Sequence, residues 1–502
     1  MTLNQQKVHD KTITARQWAS MVKSNDWITV GGIGSDPTAC IHALGDRLGN
    51  GPNSVNNIEI WSFGANTRTA AICAKTDPEA KYQLFHEYFM MPPSRHWDDQ
   101  YHSVDWAHWG WAMGVNYQYA RWARKDKSNN AMDWAILSVP PPEGNFVNFS
   151  YGVNTAIYAV KSSKKVVAEI CDDYAWCEPG RNMIWPVDKI DYFVEVDTSN
   201  PLYQWPQMDE RKADSTEAEQ KIAENIVSIM GDGDCLQVGI GKLPTAIVRQ
   251  IRKSGLKHLG VHTEMMGEWA FTLIESGQLD NSRKNIDRGR CVWSYITPYN
   301  MGRTKEFMHH NPFFAGYDIN YTNNMITLSK NEHQIGINSF LAMDLFGQDA
   351  CSYYAGRPIS GTGGQFNFTV FCAMAKGGRG ILAATSRNKA GHSRFVGSFP
   401  PGTVVDVPAQ MVSWVATENG IVNLMGKTKY ERAHDIINVL AHPDDRETLE
   451  REAYKFNLIP KHFKLCPDRR YPDYWKDLRD YKHLYSSELW GFESIGDMLS
   501  GK

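Results

Sequence analysis

No stretch of the 502-residue chain comes near the run of about eighteen apolar residues that a membrane-spanning helix needs. The opening segment, "MTLNQQKVHDKTITARQ", is polar and lacks the apolar core of a secretory signal, so a cytoplasmic location and no membrane partner are expected. An excess of charge is also missing. The formal net charge of −3 leaves no electrostatic footprint for nucleic acid. The nine cysteines are odd in number and scattered, several in apolar strand-like runs, which fits buried free thiols better than a disulfide framework. Cys171 and Cys177 have no matching second pair, so no zinc site is expected there. His309-His310 reads as a loop histidine pair, since adjacent side chains are expected to point apart; no metal site is assigned. A Gly-x-Ser-x-Gly elbow is absent, which argues against a serine hydrolase.

What the chain does have is length, aromatic content and an internal repeat. Its length calls for two or three domains. Seventeen tryptophans imply large apolar contacts in a core or around a pocket. The segments "WITVGGIGSDPTACIHALGDRL" and "CLQVGIGKLPTAIVRQIRK" share one pattern. Each runs from a short apolar strand through Gly-Ile-Gly, two variable residues and Pro-Thr-Ala into an amphipathic helix. Another strand-like run follows each, "NIEIWSFG" and "KHLGVHTE". This predicts an α/β protein built from two related open α/β domains with mostly parallel sheets. The expected boundaries are 1–205, 206–455 and a Tyr-, Pro- and charge-rich appendage over 456–502 that wraps the body or a neighbouring subunit. The seam carries Pro201, Pro206 and a polar run.

A Gly-x-Gly turn between strand and helix allows positive φ and leaves backbone N–H groups facing the crevice beyond the strand ends. Neither copy has the third glycine of a dinucleotide fingerprint, so a nicotinamide cofactor is disfavoured. The two copies differ at the end of the second strand. One reads Trp61-Ser62-Phe63, and the other presents His262-Thr263-Glu264. A carboxylate in place of an apolar residue, at a strand end facing a crevice, singles out Glu264 as a reactive group. The bland alternative is a solvated surface glutamate.

The ordered segments "LQVGIGKLPTAIV", "KHLGVHTEMMGE", "IGINSFLAMDLFGQ", "SGTGGQFNF" and "VATENGIVNLMGKT" resemble successive motifs of the acetyl-CoA hydrolase/transferase family among the class I CoA-transferases. The likeness is nearest to the 4-hydroxybutyrate CoA-transferases and spans about residues 10 to 455. It implies two open α/β domains with the active site in a cleft between them. It also implies that Glu264 is the catalytic carboxylate and forms a glutamyl-CoA thioester. Asn338 is then expected to hold a carboxylate of the substrate or of Glu264, and the turn around Ile240 to stabilise developing oxyanions. Gly239, Ile240, Gly241, Lys242 and Leu243, with Gly363 and Gly364 of the Gly-rich turn, are expected to contact coenzyme A. Acyl-CoA and a small carboxylic acid are the expected substrates, and a homodimer or homotetramer the expected assembly, with no permanently bound cofactor.

An acyl-CoA hydrolase with the same glutamate, or an inactive CoA-binding protein, would share most of these features. The chain departs from the family pattern at Asn367 ("GGQFNF" for "GGQVDF") and Asn419 ("TENG" for "TEYG"). Its segment "PPSRHWDDQYHSVDWAHWGWAMGVNYQYARW" is unusually aromatic. There Trp97, Trp106, Trp109 and Trp111 either line a pocket for a bulkier acid or pack between domains or subunits.

Overall fold

The computed structural model describes residues 3–62, 67–106, 114–115, 131–204, 214–239 and 241–460. Its contacts divide the chain into two units. The first comprises Met1–Asp209, Val292–Thr322 and Ser360–Gly363; the second comprises Glu210–Cys291, Asn323–Ile359 and Gly364–Lys502. The described part has no helix long and apolar enough to cross a membrane.

The main sheet of the first unit has seven strands: β1 Trp27–Val30, β2 Ile58–Ser62, β3 Gln83–Glu87, β4 Val104–Trp106, β5 Met132–Val139, β6 Ser163–Ile170 and β7 Tyr192–Glu195. They lie in the order β7-β6-β5-β1-β2-β3-β4. Every neighbouring pair is parallel. Runs such as "WITV" and "MDWAILSV" are apolar on both faces, as strands of a covered parallel sheet must be. Trp18 and Trp134 meet edge to face in the core, with ring centroids 6.0 Å apart. Trp97 belongs to the same core, only 3% exposed, and Trp106 packs against it. These two rings therefore pack within the first unit. Trp109 and Trp111 lie outside the described residues.

The second unit holds β8 Cys235–Val238, β9 Gly260–Val261, β10 Gln334–Asn338, β11 Arg379–Ala383, β12 Trp414–Thr417 and β13 Gly420–Asn423, in the order β9-β8-β10-β11-β12-β13. All neighbours are parallel except the final hairpin. The repeat seen in the sequence is a repeat in space. Helix α1 (Thr38–Gly45) joins the paired strands β1 and β2, and helix α2 (Lys242–Ser254) joins β8 and β9. After β9 the chain moves to the other side of β8 and adds β10. The ends of β8 and β10 thus flank a topological switch point, where open α/β sheets place their ligands.

The sequence reading assigned 206–455 to one continuous second domain, whereas Val292–Thr322 groups with the first unit. The cause is tertiary pairing. Phe314–Tyr317 adds in parallel to the short strand Pro179–Arg181. The fully buried Asp318 carboxylate then accepts the Tyr158 hydroxyl at 2.8 Å, Asn182 Nδ2 at 2.9 Å and Arg181 Nε at 2.9 Å.

In the first unit, the buried Glu169 carboxylate on β6 accepts the N–H groups of Ala39 (3.3 Å) and Cys40 (2.6 Å), at the start of α1. Burial raises its pKa from 4.5 to about 7, against the lowering effect of those hydrogen bonds. A carboxyl whose folded pKa is raised contributes stability that is full below the unfolded pKa and is lost as pH rises through the folded one. Unfolding temperature should therefore fall from about pH 5 to about pH 8. In Glu169→Gln that fall should be smaller; an equal fall in wild type and variant would assign it to other groups.

Candidate active site

Glu264 sits three residues beyond β9, in a corner whose backbone is held from several sides. Buried Lys284 donates to the Val261 carbonyl at 2.8 Å. Asn281 Oδ1 accepts the Val261 N–H at 2.8 Å, and Gln334 Nε2 donates to the His262 carbonyl at 3.1 Å. The Thr263 hydroxyl closes the turn on the Met265 carbonyl at 2.8 Å. His262 is fully buried, and the Glu264 side chain emerges beside it 6% exposed. A carboxylate so enclosed is not a solvated surface group.

Its partner is an amide. Asn323 Nδ2 donates to Glu264 Oε2 at 2.5 Å, and the same Nδ2 lies 3.5 Å from Asn367 Oδ1. All three side chains are buried. Gly364 presses against this pair from the start of helix α3 (Gln365–Ala373), for which it is the N-cap. A Cβ at position 364 would lie 1.9 Å from Glu264 Oε2, so only glycine allows the approach. The next residue, Gln365, donates to the Ser339 carbonyl at 2.7 Å and so ties α3 to the end of β10.

Gly239 follows β8, and a Cβ there would meet only the Met265 side chain, at 4.0 Å. The turn thus runs beside the residue after Glu264. Gly241 has φ 111° and ψ −167°, a conformation that needs glycine, and provides no side-chain cap for α2. Lys242 is exposed and Leu243 half-buried in the first turn of that helix. The N-terminal end of a helix carries unpaired N–H groups and partial positive charge. Ile240 lies outside the described residues.

The sequence offers Asn338 as the holder of a carboxylate of the substrate or of Glu264; its amide pairs with Gln237, at 3.2 and 3.4 Å, across the neighbouring ends of β10 and β8. The amide on Glu264 is Asn323, which sequence reasoning missed. Nothing in "DINYTNN" distinguishes Asn323, and its contact spans 59 residues of chain. Gly363, at φ 52°, groups with the first unit, while Gly364 groups with the second. Asn419, one of the two departures from the family pattern, hydrogen-bonds the Leu440 carbonyl at 3.1 Å and serves the fold. The expectation that His309 and His310 point apart also fails. His310 has φ 49°, which turns the two rings to one side with centroids 4.3 Å apart.

The profile of the acetyl-CoA hydrolase/transferase N-terminal domain matches residues 2–201, and that of the C-terminal domain matches residues 302–453. The chain is 28% identical to the butyryl-CoA:acetate CoA-transferase of Anaerostipes caccae over 454 residues, covering 89% of this chain and 97% of that protein. It is 34% identical to the 4-hydroxybutyrate coenzyme A transferase of Clostridium kluyveri over 332 residues, covering 64% and 73%. The crystal structure of RipA from Yersinia pestis has the same fold, with a TM-score of 0.80 at 23% identity, covering 91% of this chain and all of that one.

A double-mutant cycle between Glu264→Gln and Asn323→Leu, read from urea unfolding, should return a coupling of about 1–3 kcal/mol. A coupling near zero would mean that the two side chains do not support one another.

Proposed function

This chain belongs to the acetyl-CoA hydrolase/transferase family, and from that premise we propose that it moves coenzyme A between an acyl-CoA and a carboxylic acid through a thioester on Glu264. The observation that carries the reading is the buried Glu264 carboxylate, gripped by Asn323 beneath Gly364 and beside the open Gly239–Gly241 turn.

Glu264 attacks the carbonyl carbon of the acyl-CoA. The C–S bond breaks, leaving an acyl-glutamyl anhydride and CoA thiolate. The thiolate attacks the glutamyl carbonyl, expelling the first acid as its carboxylate and leaving glutamyl-CoA. A second carboxylate attacks that thioester, again releasing thiolate and forming a new anhydride. The thiolate then takes the new acyl group, and Glu264 returns to its starting state. Splitting one exchange into four attacks of this kind is covalent catalysis.

Each attack puts negative charge on a former carbonyl oxygen. Backbone N–H groups at the Gly239–Leu243 turn, Ile240 among them, are of the right type to receive it, and such a donor is commonly worth about 3 kcal/mol. Coenzyme A enters and leaves as a substrate. The acid is proposed to be short, of the butyrate or 4-hydroxybutyrate kind, because the described tryptophans of the aromatic segment are occupied in packing.

Incubation with acetyl-CoA should add a CoA-sized mass that maps to Glu264. Adding butyrate should discharge it as butyryl-CoA, whereas release of free CoA alone would indicate hydrolysis. Glu264→Ala should show neither adduct nor exchange; exchange at wild-type speed in that variant sinks the proposal. Gly364→Ala should remain folded but lose at least about a hundredfold in kcat, because its methyl displaces the nucleophile by an ångström or more. A kcat within twofold of wild type would show that the close approach does not matter.

A further inference from the structure

We propose that Glu143, His309 and His310 of the first unit form a binding site for one divalent transition ion of the Zn2+ type, with Glu178 as the outer carboxylate. Among the described residues, these three side chains form a group whose ligand atoms all lie within 4.8 Å of one another. The positive φ of His310 makes this possible by bringing neighbouring rings to the same side.

The backbones that carry the ligands are fixed. Glu143 exchanges two hydrogen bonds of 3.1 Å with Phe146. The His309 N–H closes the end of helix Met301–Met308 on the Lys305 carbonyl at 2.9 Å, and the His310 N–H donates to the Trp176 carbonyl at 2.9 Å. Glu178 is held through its carbonyl by the Gly316 N–H at 3.1 Å.

His310 Nε2 lies 3.1 Å from Glu143 Oε1, and its Nδ1 lies 3.8 Å from Glu178 Oε1. A neutral imidazole has one N–H for these two acidic oxygens. An ion between Nε2 and Glu143 resolves the mismatch. Ligands bonded to zinc at about 2.0–2.1 Å in a tetrahedron stand about 3.3 Å apart, close to the separation already present. Nδ1–H then donates to Glu178, the carboxylate–histidine–metal arrangement that orients such rings. His309 Nδ1 accepts the Trp176 N–H at 3.0 Å. On binding, that lone pair passes to the ion and the exposed Trp176 N–H passes to water. Two imidazoles and a carboxylate favour Zn2+, Co2+ or Ni2+ over Ca2+ or Mg2+, which prefer all-oxygen shells.

Such an ion would clasp two distant stretches of the first unit, since Glu143 and His310 are 167 residues apart in the chain. Its role would be structural, independent of the Glu264 chemistry. The test is to strip the full-length protein with a chelator and titrate Zn2+ by calorimetry and Co2+ by visible absorption. One ion per chain is expected, with tetrahedral Co2+ bands, micromolar affinity and a raised unfolding temperature. His309→Ala, His310→Ala and Glu143→Gln should each remove the bands, and Glu178→Gln should weaken binding about tenfold to a hundredfold. All four variants should keep wild-type CoA exchange, which shows that they fold. No uptake at about 0.1 mM Zn2+, or unchanged stoichiometry and affinity in the histidine variants, overturns the site.

Discussion

The hydrogen bond from Asn323 to Glu264 is the constraint around which the second unit's functional face is organised. It brings a strand-end corner against the chain that follows the exchanged segment 292–322, under a glycine that begins a helix. The corner could not hold its shape alone. Its carbonyls are taken by Lys284 and Gln334, both buried, so the carboxylate projects from a rigid support. The Asn323 amide orients the carboxylate to which the proposed mechanism gives the attack on carbon.

The duplicated frames put the same geometry to different uses. In the first unit the helix after the Gly-Ile-Gly turn has two of its early N–H groups occupied by Glu169. In the second, glycine sits at the helix cap with no side-chain acceptor, and a Cβ on Gly241 would meet nothing within 4 Å. One frame has turned its anion-seeking end inward to stabilise the fold. The other leaves that end without a side-chain cap, and the turn before it runs beside Met265, the residue after Glu264. The asymmetry noticed at Glu264 therefore extends to the helix dipole on which a charged intermediate could draw.

Much of this was legible from local pattern. The two strand–turn–helix copies, the parallel sheets and the exceptional position of Glu264 follow from apolar runs and glycine spacing, which act over a few residues. What stayed hidden acts at long range or through unusual torsions. Asn323 reaches Glu264 across 59 residues. Segment 292–322 joins the first unit only because Phe314–Tyr317 pairs with Pro179–Arg181 and Asp318 finds three partners. The convergence of His309 and His310 depends on a left-handed torsion at a non-glycine residue, which spacing cannot foretell. Asn338, legible as a strand-end amide, pairs with Gln237 on the neighbouring strand, a partner 101 residues away that local pattern does not reveal.

The chain passes from the first unit into the second at Asn323 and again at Gly364. Asn323 donates to the Glu264 carboxylate, and Gly364 lies against it. Two contacts of the carboxylate proposed to react thus stand where the backbone crosses from one unit to the other. A substitution that alters the backbone course at either crossing would move one of those contacts.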